Sequence, residues 1–140
     1  MFVIDTNVAS ELMRPVPNPA VAAWIAGQDA EEMYLTAVSE AELLYGVAIM
    51  SAGRRRNALE AAMREWLDLG FTQRILPFDS AAARAYAEIA SGRRRAGRPI
   101  GEADCQIAAI SRSRGAVLVT RNVRDFESTD VELVDPWTVA

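Results

Sequence analysis

The chain has 140 residues, 51% of them hydrophobic, so we expect one folded domain spanning residues 1–140 and not a disordered chain. It contains no histidine and no lysine, and all 15 basic residues are arginines. These absences exclude Ser-His-Asp triads, histidine-ligated zinc sites, Schiff-base lysines and P-loops within this chain. The net charge of −4 does not by itself indicate a nucleic-acid-binding protein.

Short apolar runs alternate with helical patterns along the chain. In the first half the predicted elements are a strand at 2–4, a short helix capped by Asp5 or Thr6 that reaches Met13, a helix opened by Asn18 and Pro19 that ends at Gly27, a strand at 33–38, and a helix that a Ser39–Glu42 capping box opens and that ends near Met50. In the second half they are a helix from about Asn57 to Leu69, a strand at 74–78, a helix from Asp79 to about Arg94, a helix from about Gly101 to Arg114, and strands at 116–120 and 131–135. Strands separated by helices predict an α/β fold, with a mainly parallel central sheet flanked by helices as an α/β/α sandwich.

Several acidic residues are expected at one edge of this sheet. In parallel sheets ligands bind beyond the carboxyl ends of the strands, and Asp5 directly follows the first strand. Glu42 is predicted in the first turn of the helix after the second strand, and Asp104 in the first turn of the helix that leads into the fourth. Asn122 and Asp125 follow that fourth strand. The topology therefore predicts that these side chains meet at one site.

Each acid also has an explanation that needs no site. Asp5 can cap a helix, Glu42 can complete the capping box, and Asp104 can favour the positive end of its helix; Asp125 can be a turn residue. Gathered together, however, two carboxylates about 4 Å apart repel by roughly 4 kcal/mol at an effective dielectric constant of 20. The one nearby arginine, Arg121, does not balance the set. A divalent cation would, and oxygen-only ligands favour Mg²⁺ or Mn²⁺ over zinc.

Seven of the arginines are clustered along the sequence. The two clusters consist of Arg54, Arg55 and Arg56, and of Arg93, Arg94, Arg95 and Arg98. Local basic patches can bind phosphate on a globally acidic protein, and the alternative is a set of solvated helix ends and loops.

Several short segments, taken together, resemble a known family. They are DTN at 5–7, AELLYG at 41–46, RILPFD at 74–79, EADCQIAA at 102–109, TRNVRDF at 120–126 and DPW at 135–137. Their order and spacing, over essentially the whole chain, are similar to those of PIN domains of the bacterial VapC/FitB toxin type. The resemblance implies a parallel-sheet α/β/α fold and a Mg²⁺- or Mn²⁺-dependent ribonuclease that is the toxin of a type II toxin-antitoxin module.

The resemblance assigns the metal-binding acids of the family to Asp5, Glu42 and Asp104. The fourth acidic position is a departure, because relatives in this branch often have TRD where this chain has TRN. Asn122 offers an amide oxygen without charge, and Asp125 is the other candidate for that position. The candidate catalytic residues are thus Asp5, Glu42, Asp104 and Asp125, the accessory candidates are Asn122, Thr6, Thr120 and Arg121, and the candidate RNA-binding residues are Arg54, Arg55, Arg56, Arg93, Arg94 and Arg95.

The resemblance also implies a partner protein. Such toxins are neutralised by a small antitoxin that binds operator DNA, so that the toxin reaches DNA only through the antitoxin. The resemblance implies a homodimer as well. The 41–50 helix supports this expectation, because its apolar residues point in several directions and must be buried on more than one side. The single cysteine, the lack of a signal-peptide pattern and the absence of a membrane-length apolar run predict a protein of the cytoplasm.

Other classes of protein are weighed against this interpretation. A response-regulator receiver and a haloacid-dehalogenase-type phosphatase both need an active-site lysine, and the phosphatase also needs an aspartate at the position of Asn7. The alternative from a different class is a non-catalytic PIN-fold protein that acts with an antitoxin as a binding partner or corepressor on operator DNA. Such a protein would cleave no RNA.

Overall fold

A computed structural model describes residues 1–139 of the chain. Over these residues, the strands are β1 (Phe2–Ile4), β2 (Met33–Thr36), β3 (Ile75–Leu76), β4 (Val117–Val119) and β5 (Glu132–Val134). The helices are α1 (Thr6–Leu12), α2 (Pro19–Ala26), α3 (Ala37–Ala48), α4 (Arg54–Gly70), α5 (Ser80–Arg95) and α6 (Glu102–Ser113), with 3-10 turns at Ala30–Glu32 and Val123–Phe126. The strands form a single parallel sheet in the order β3-β2-β1-β4-β5. Within the described part of the chain, no helix combines the length and the apolar character of a membrane span.

The sheet separates two layers of hydrophobic core. Consecutive residues of a strand point to opposite faces, so Val3 packs with α5 and α6 while Ile4 packs with α1 to α4. Leu118 and Val119 divide in the same way between the two layers. All four side chains are fully or almost fully buried, which stabilises the fold by about 1.5–3 kcal/mol for each. The predicted α/β/α sandwich is therefore confirmed.

Several helix ends follow from local sequence. Asn18 Oδ1 accepts hydrogen bonds from the amides of Ala20 and Val21, and Asp79 Oδ1 accepts one from the amide of Ala82 at 3.0 Å. The caps predicted at Asn18 and Asp79 are therefore confirmed. These short-range contacts need only neighbouring residues, which is why the sequence pattern is sufficient to predict them.

The start of α3 differs from the prediction. The cap is Thr36, whose Oγ1 accepts a hydrogen bond from the amide of Ser39 at 3.0 Å, so the helix begins at Ala37. The predicted Ser39–Glu42 capping box is wrong, and Glu42 lies in the second turn of α3 instead of the first. Thr36 is fully buried at the end of β2, where its hydroxyl needs a partner, and capping provides one.

The start of α4 also differs. The helix begins at Arg54 and not near Asn57, and its N-cap residue Gly53 provides no side-chain hydrogen bond. The first arginine cluster therefore forms the first turn of a helix and not the preceding turn.

The strand order places a topological switch point between β1 and β4. The chain runs outward from β1 to β2 and β3 on one side, and β4 and β5 lie on the other. Ligands of open parallel sheets bind at such a point, beyond the carboxyl ends of the strands. Asp5 follows β1 and Thr120 follows β4, so both residues lie at this position.

Candidate active site

Asp5 is the buried acid at the switch point, with only 4% of its surface exposed. Its Oδ1 accepts a hydrogen bond from the amide of Thr6 at 2.8 Å, so of the two predicted caps of α1, Asp5 and Thr6, the structure shows Asp5. Its Oδ2 accepts hydrogen bonds from Thr120 Oγ1 at 2.7 Å and from Asn7 Nδ2 at 3.2 Å. Capping thus uses one carboxylate oxygen, and the other connects the ends of β1 and β4.

The charge state of Asp5 reflects opposing influences. Burial raises the pKa of the Asp5 carboxyl above its usual value, and the negative charge of Glu42 adds to this effect. The hydrogen bonds from Thr120, Thr6 and Asn7 act in the opposite direction, because they stabilise the ionised form. The net result is a raised pKa, so ionisation of the Asp5 carboxyl is less favourable in the folded protein than in water.

Glu42 reaches the same edge of the sheet from α3. The Thr6 hydroxyl donates to Glu42 Oε1 at 2.7 Å, and it lies 2.8 Å from Ser39 Oγ, which can donate to it. Glu42 is otherwise exposed. One turn further along α3, Gly46 leaves open space, since a Cβ built there would meet no heavy atom within 4 Å. Thr6 therefore connects the Asp5 segment with the Glu42 carboxylate.

Asp104 lies in the first turn of α6, as predicted, and is half-buried. Burial raises the pKa of its carboxyl to about 6, and the negative charges of Asp5, Asp125 and Glu42 contribute in that order. The four predicted carboxylates come from separate parts of the chain. Asp5, Asp125 and Glu42 are nevertheless close enough to Asp104 to disfavour its ionisation.

Asp125 and Asn122 occupy the segment after β4. Asp125 is exposed in the 3-10 turn Val123–Phe126, and it lines a small cavity of about 150 Å³ together with Asp104 and Arg93. The amide nitrogen of Asn122 donates to Thr120 Oγ1 at 3.0 Å, while its exposed side chain makes no hydrogen bond to residues 1–139. Of the two candidates for the fourth position, Asp125 is thus the one that shares a cavity with Asp104.

The four acids at this edge, Asp5, Glu42, Asp104 and Asp125, form no ion pairs within residues 1–139. Within the same range, no three acidic, cysteine or histidine side chains are drawn together tightly enough to form a ready-made metal cluster. The site is therefore a loose group of oxygen donors that are not engaged in ion pairs, and hard divalent cations take such donors.

Arg121 lies beside the acids without pairing with them. Its guanidinium carbon is 4.9 Å from the centre of the Trp137 ring, a cation–π contact that holds the side chain in one direction. The amide nitrogen of Arg121 donates to Asn7 Oδ1 at 3.3 Å. Asn7 therefore joins Asp5 to the segment after β4, a role that was not predicted from the sequence. The DTN motif carried the signal, because an Asn two residues after a site aspartate can hydrogen-bond to that aspartate.

The arginine clusters are divided between surface and interior. Arg54, Arg55, Arg94 and Arg95 are exposed, and Arg56 is half-exposed. Arg93 is buried, with 6% of its surface exposed, and its guanidinium donates to backbone carbonyl oxygens. Arg93 therefore differs from the other RNA-binding candidates, because its Nε and Nη1 donors are already engaged inside the protein.

Comparison with known proteins agrees with this geometry. A family model described as the PIN domain matches residues 2–132. VapC ribonuclease Y4jK of Sinorhizobium fredii is 39% identical over 140 residues, and the alignment covers 100% of this chain and 100% of that protein. Toxin FitB of Neisseria gonorrhoeae is 39% identical over 137 residues, which are 98% of this chain and 99% of the toxin.

A solved structure gives the same result for the fold. The structure of FitAB bound to an IR36 DNA fragment superposes with a TM-score of 0.93 at 38% identity, over 100% of this chain and 98% of the compared chain. The match extends over the switch point and all the segments that carry the acids. The chain is therefore a member of the PIN-domain family and is of the VapC/FitB type.

Proposed function

We propose that this protein is a metal-dependent ribonuclease, the toxin of a bacterial type II toxin-antitoxin module, which hydrolyses RNA phosphodiester bonds with a carboxylate-bound Mg²⁺ or Mn²⁺. The observation that carries the proposal is the group of four carboxylates at the switch point that make no ion pair within residues 1–139. Burial, and after it the negative charges of the other three acids, raise the pKa of Asp104 to about 6. The names of two relatives, a ribonuclease and a toxin, support the same conclusion.

In this proposal Asp5, Glu42 and Asp104 hold the cation, and Asp125 or Asn122 completes the site. A bound divalent cation would supply a water of lowered pKa and charge stabilisation at the phosphoryl group. The residues of the chain hold the donors in place. Thr120 orients Oδ2 of Asp5, and Thr6 orients the carboxylate of Glu42. Such outer hydrogen bonds orient metal ligands and tune their basicity.

Removing divalent cations should stop RNA cleavage. We expect no new 5′ ends in total bacterial RNA treated with the protein in excess EDTA, and restored cleavage after addition of Mg²⁺ or Mn²⁺, because the carboxylates alone cannot stabilise a developing negative charge. Sequencing of the new 5′ ends measures cleavage. Undiminished cleavage in EDTA would refute the metal dependence. Antitoxin binding without any cleavage would favour the alternative, a non-catalytic partner or corepressor.

We propose that RNA phosphates contact the exposed arginines Arg54, Arg55, Arg94 and Arg95, with Arg56 beside them. Three arginines in the first turn of α4 face the positive end of the helix dipole, an unfavourable position that a bound polyanion would offset. Replacing Arg54–Arg56 or Arg94–Arg95 by glutamine should weaken RNA binding and flatten its dependence on salt. If the salt slope is unchanged in both variants, these arginines are solvated surface only.

The proposed partners are a cognate antitoxin, through which the protein reaches operator DNA in the cytoplasm, and a second copy of the chain. The antitoxin proposal follows the DNA-bound FitAB structure. The dimer proposal is supported by Tyr45 in α3 and Ile49 at its C-cap, two large apolar side chains that are 66% and 64% exposed.

Light scattering of the isolated protein at micromolar concentration should show a dimer, which Ile49→Glu converts to a monomer by placing a charge in the apolar contact. Val16→Glu is the matched control, because Val16 is 81% exposed in the loop before α2, outside the α3 surface. A monomeric wild-type protein would contradict the dimer.

A further inference from the structure

Arg93 closes the C-terminal end of α5. Gly97 has a φ of +74°, a left-handed conformation that glycine adopts without strain, and the chain reverses there. The amide of Gly97 then donates to the carbonyl of Arg94, and the amide of Arg98 donates to the carbonyl of Arg93 at 2.9 Å. This is the Schellman arrangement of a helix end. The Arg93 side chain adds a further bond, because its Nε donates to the carbonyl of Arg98 at 2.7 Å.

The same guanidinium holds the segment that carries Asp125. Nη1 of Arg93 lies 2.9 Å from the carbonyl oxygens of both Asp125 and Glu127 and donates to them. A salt bridge of 3.1 Å between Arg98 and the Glu127 carboxylate joins the same two segments. Asp125 lies in the 3-10 turn Val123–Phe126, and Ser128 adopts a left-handed φ of 60° directly after Glu127. Contacts with the end of α5 therefore anchor the backbone on both sides of the buried Phe126.

Arg93 also borders the acidic site. It lines the 150 Å³ cavity together with Asp104 and Asp125. All of its hydrogen bonds to residues 1–139 go to backbone carbonyls and none goes to a carboxylate. A buried positive charge thus lies next to the two acids while their carboxylate oxygens stay available to another ligand.

We infer that Arg93 is a positioning residue, whose buried guanidinium fixes the backbone of Asp125 beside Asp104 and so sets the affinity of the site for a divalent cation. The inference rests on the proposed function. It also makes Asp125, more than Asn122, the residue that the fold prepares for the fourth position, because the guanidinium holds the Asp125 carbonyl directly. Removing such an outer-layer partner lowers metal affinity about 10- to 100-fold in metalloproteins.

The test compares Arg93→Met with Arg74→Met. Arg74 is a matched control, because its guanidinium also donates to three backbone carbonyls, those of Ala30, Met33 and Gly70, but near the start of β2 and β3 at the opposite edge of the sheet. Mn²⁺ affinity is measured from the paramagnetic resonance of free Mn²⁺, and amide hydrogen exchange of residues 122–129 is measured in the metal-free protein. We expect Arg93→Met to weaken Mn²⁺ binding at least about tenfold and to accelerate exchange in this segment, and Arg74→Met to do neither.

A double-mutant cycle tests whether Arg93 acts through Asp125. Added to Asp125→Asn, Arg93→Met should weaken Mn²⁺ binding further by less than about threefold, because the ligand that it positions has already lost its charge. Arg93→Lys should recover part of the affinity, since an ammonium group can still donate to a carbonyl. Unchanged Mn²⁺ affinity in Arg93→Met, or the full effect in the Asp125→Asn background, would overturn the inference. A wild-type protein that binds no Mn²⁺ would overturn the proposed cation site as well.

Discussion

Asp5→Asn should reduce RNA cleavage by about 100-fold or more while the protein stays folded. Metal-bound charge stabilisation in phosphoryl transfer is worth several kcal/mol, and each 1.36 kcal/mol changes the rate about tenfold. Asn removes the charge that would hold the cation but keeps the shape of the side chain. Its Oδ1 can still accept from the amide of Thr6, so the cap of α1 remains.

The free energy of unfolding of Asp5→Asn distinguishes the role of Asp5 as a helix cap from its proposed role as a cation ligand. Burial raises the pKa of Asp5, so removing the charge relieves an electrostatic penalty in the metal-free protein. Against this, the new amide of residue 5 would face the Asn7 amide group, which is also a donor. These opposite effects should leave the free energy of unfolding in EDTA within about 1 kcal/mol of the wild type. Thermal unfolding in EDTA and cleavage rates over a range of Mg²⁺ concentrations measure the two quantities.

Asp79→Asn is the matched control for this prediction. Asp79 is also an aspartate that caps a helix, with its Oδ1 accepting from the amide of Ala82, but it lies before α5 and outside the acidic site. If capping were the whole role of Asp5, both variants would retain full activity. Full cleavage by Asp5→Asn at low Mg²⁺ would therefore refute the proposed site, and loss of cleavage by Asp79→Asn would show that the assay responds to capping.

Asp104→Asn should abolish cleavage and at the same time stabilise the metal-free protein at pH 7. The pKa of Asp104 is about 6 in the folded protein, against 3.8 as the ordinary value. The folded state therefore keeps this proton to a higher pH than the unfolded state. It follows that the free energy of unfolding falls as pH rises from about 4 to 6, and the penalty is fully present above that range. Because Asp104 is half-exposed, solvent screening reduces its size to the order of 1 kcal/mol.

The control for Asp104 is Glu102→Gln in the same first turn of α6. Glu102 is exposed, and a negative charge at this helix end is stabilising by about 0.3–1 kcal/mol. Removing the charge of Glu102 or of Asp104 removes its favourable interaction with the helix dipole. Glu102→Gln should therefore slightly destabilise the protein and retain cleavage. Urea unfolding in EDTA at pH 4.5 and 7 measures both variants. If Asp104→Asn is destabilising at pH 7 like Glu102→Gln, burial and the neighbouring carboxylates do not significantly disfavour the ionised form of Asp104.

Much of the fold could be predicted from local sequence patterns. The five strands and six helices of residues 1–139 occur in the predicted order, because apolar runs, caps such as Asn18 and Asp79, and stop signals such as Gly115 act over a few residues. The proximity of the four acids followed from topology, since the carboxyl ends of parallel strands lie on one edge. Local patterns did not show where α3 begins, because burial of Thr36 at the end of β2 makes it the cap in preference to Ser39.

The burial of Arg93 could not be predicted from local sequence. As one of three consecutive arginines it has the same local signal as Arg94 and Arg95, and α-helical geometry turns successive side chains by about 100°. Only the packing of α5 against α6 and the loop after β4 decides which of the three is turned inward, and that one meets the carbonyls of Asp125 and Glu127. Residue types and their order therefore determined the fold class and the acids of the site. Long-range packing decided which charges reach solvent, which hold the backbone, and which acid lies beside Asp104, because those outcomes depend on contacts between segments far apart in the chain.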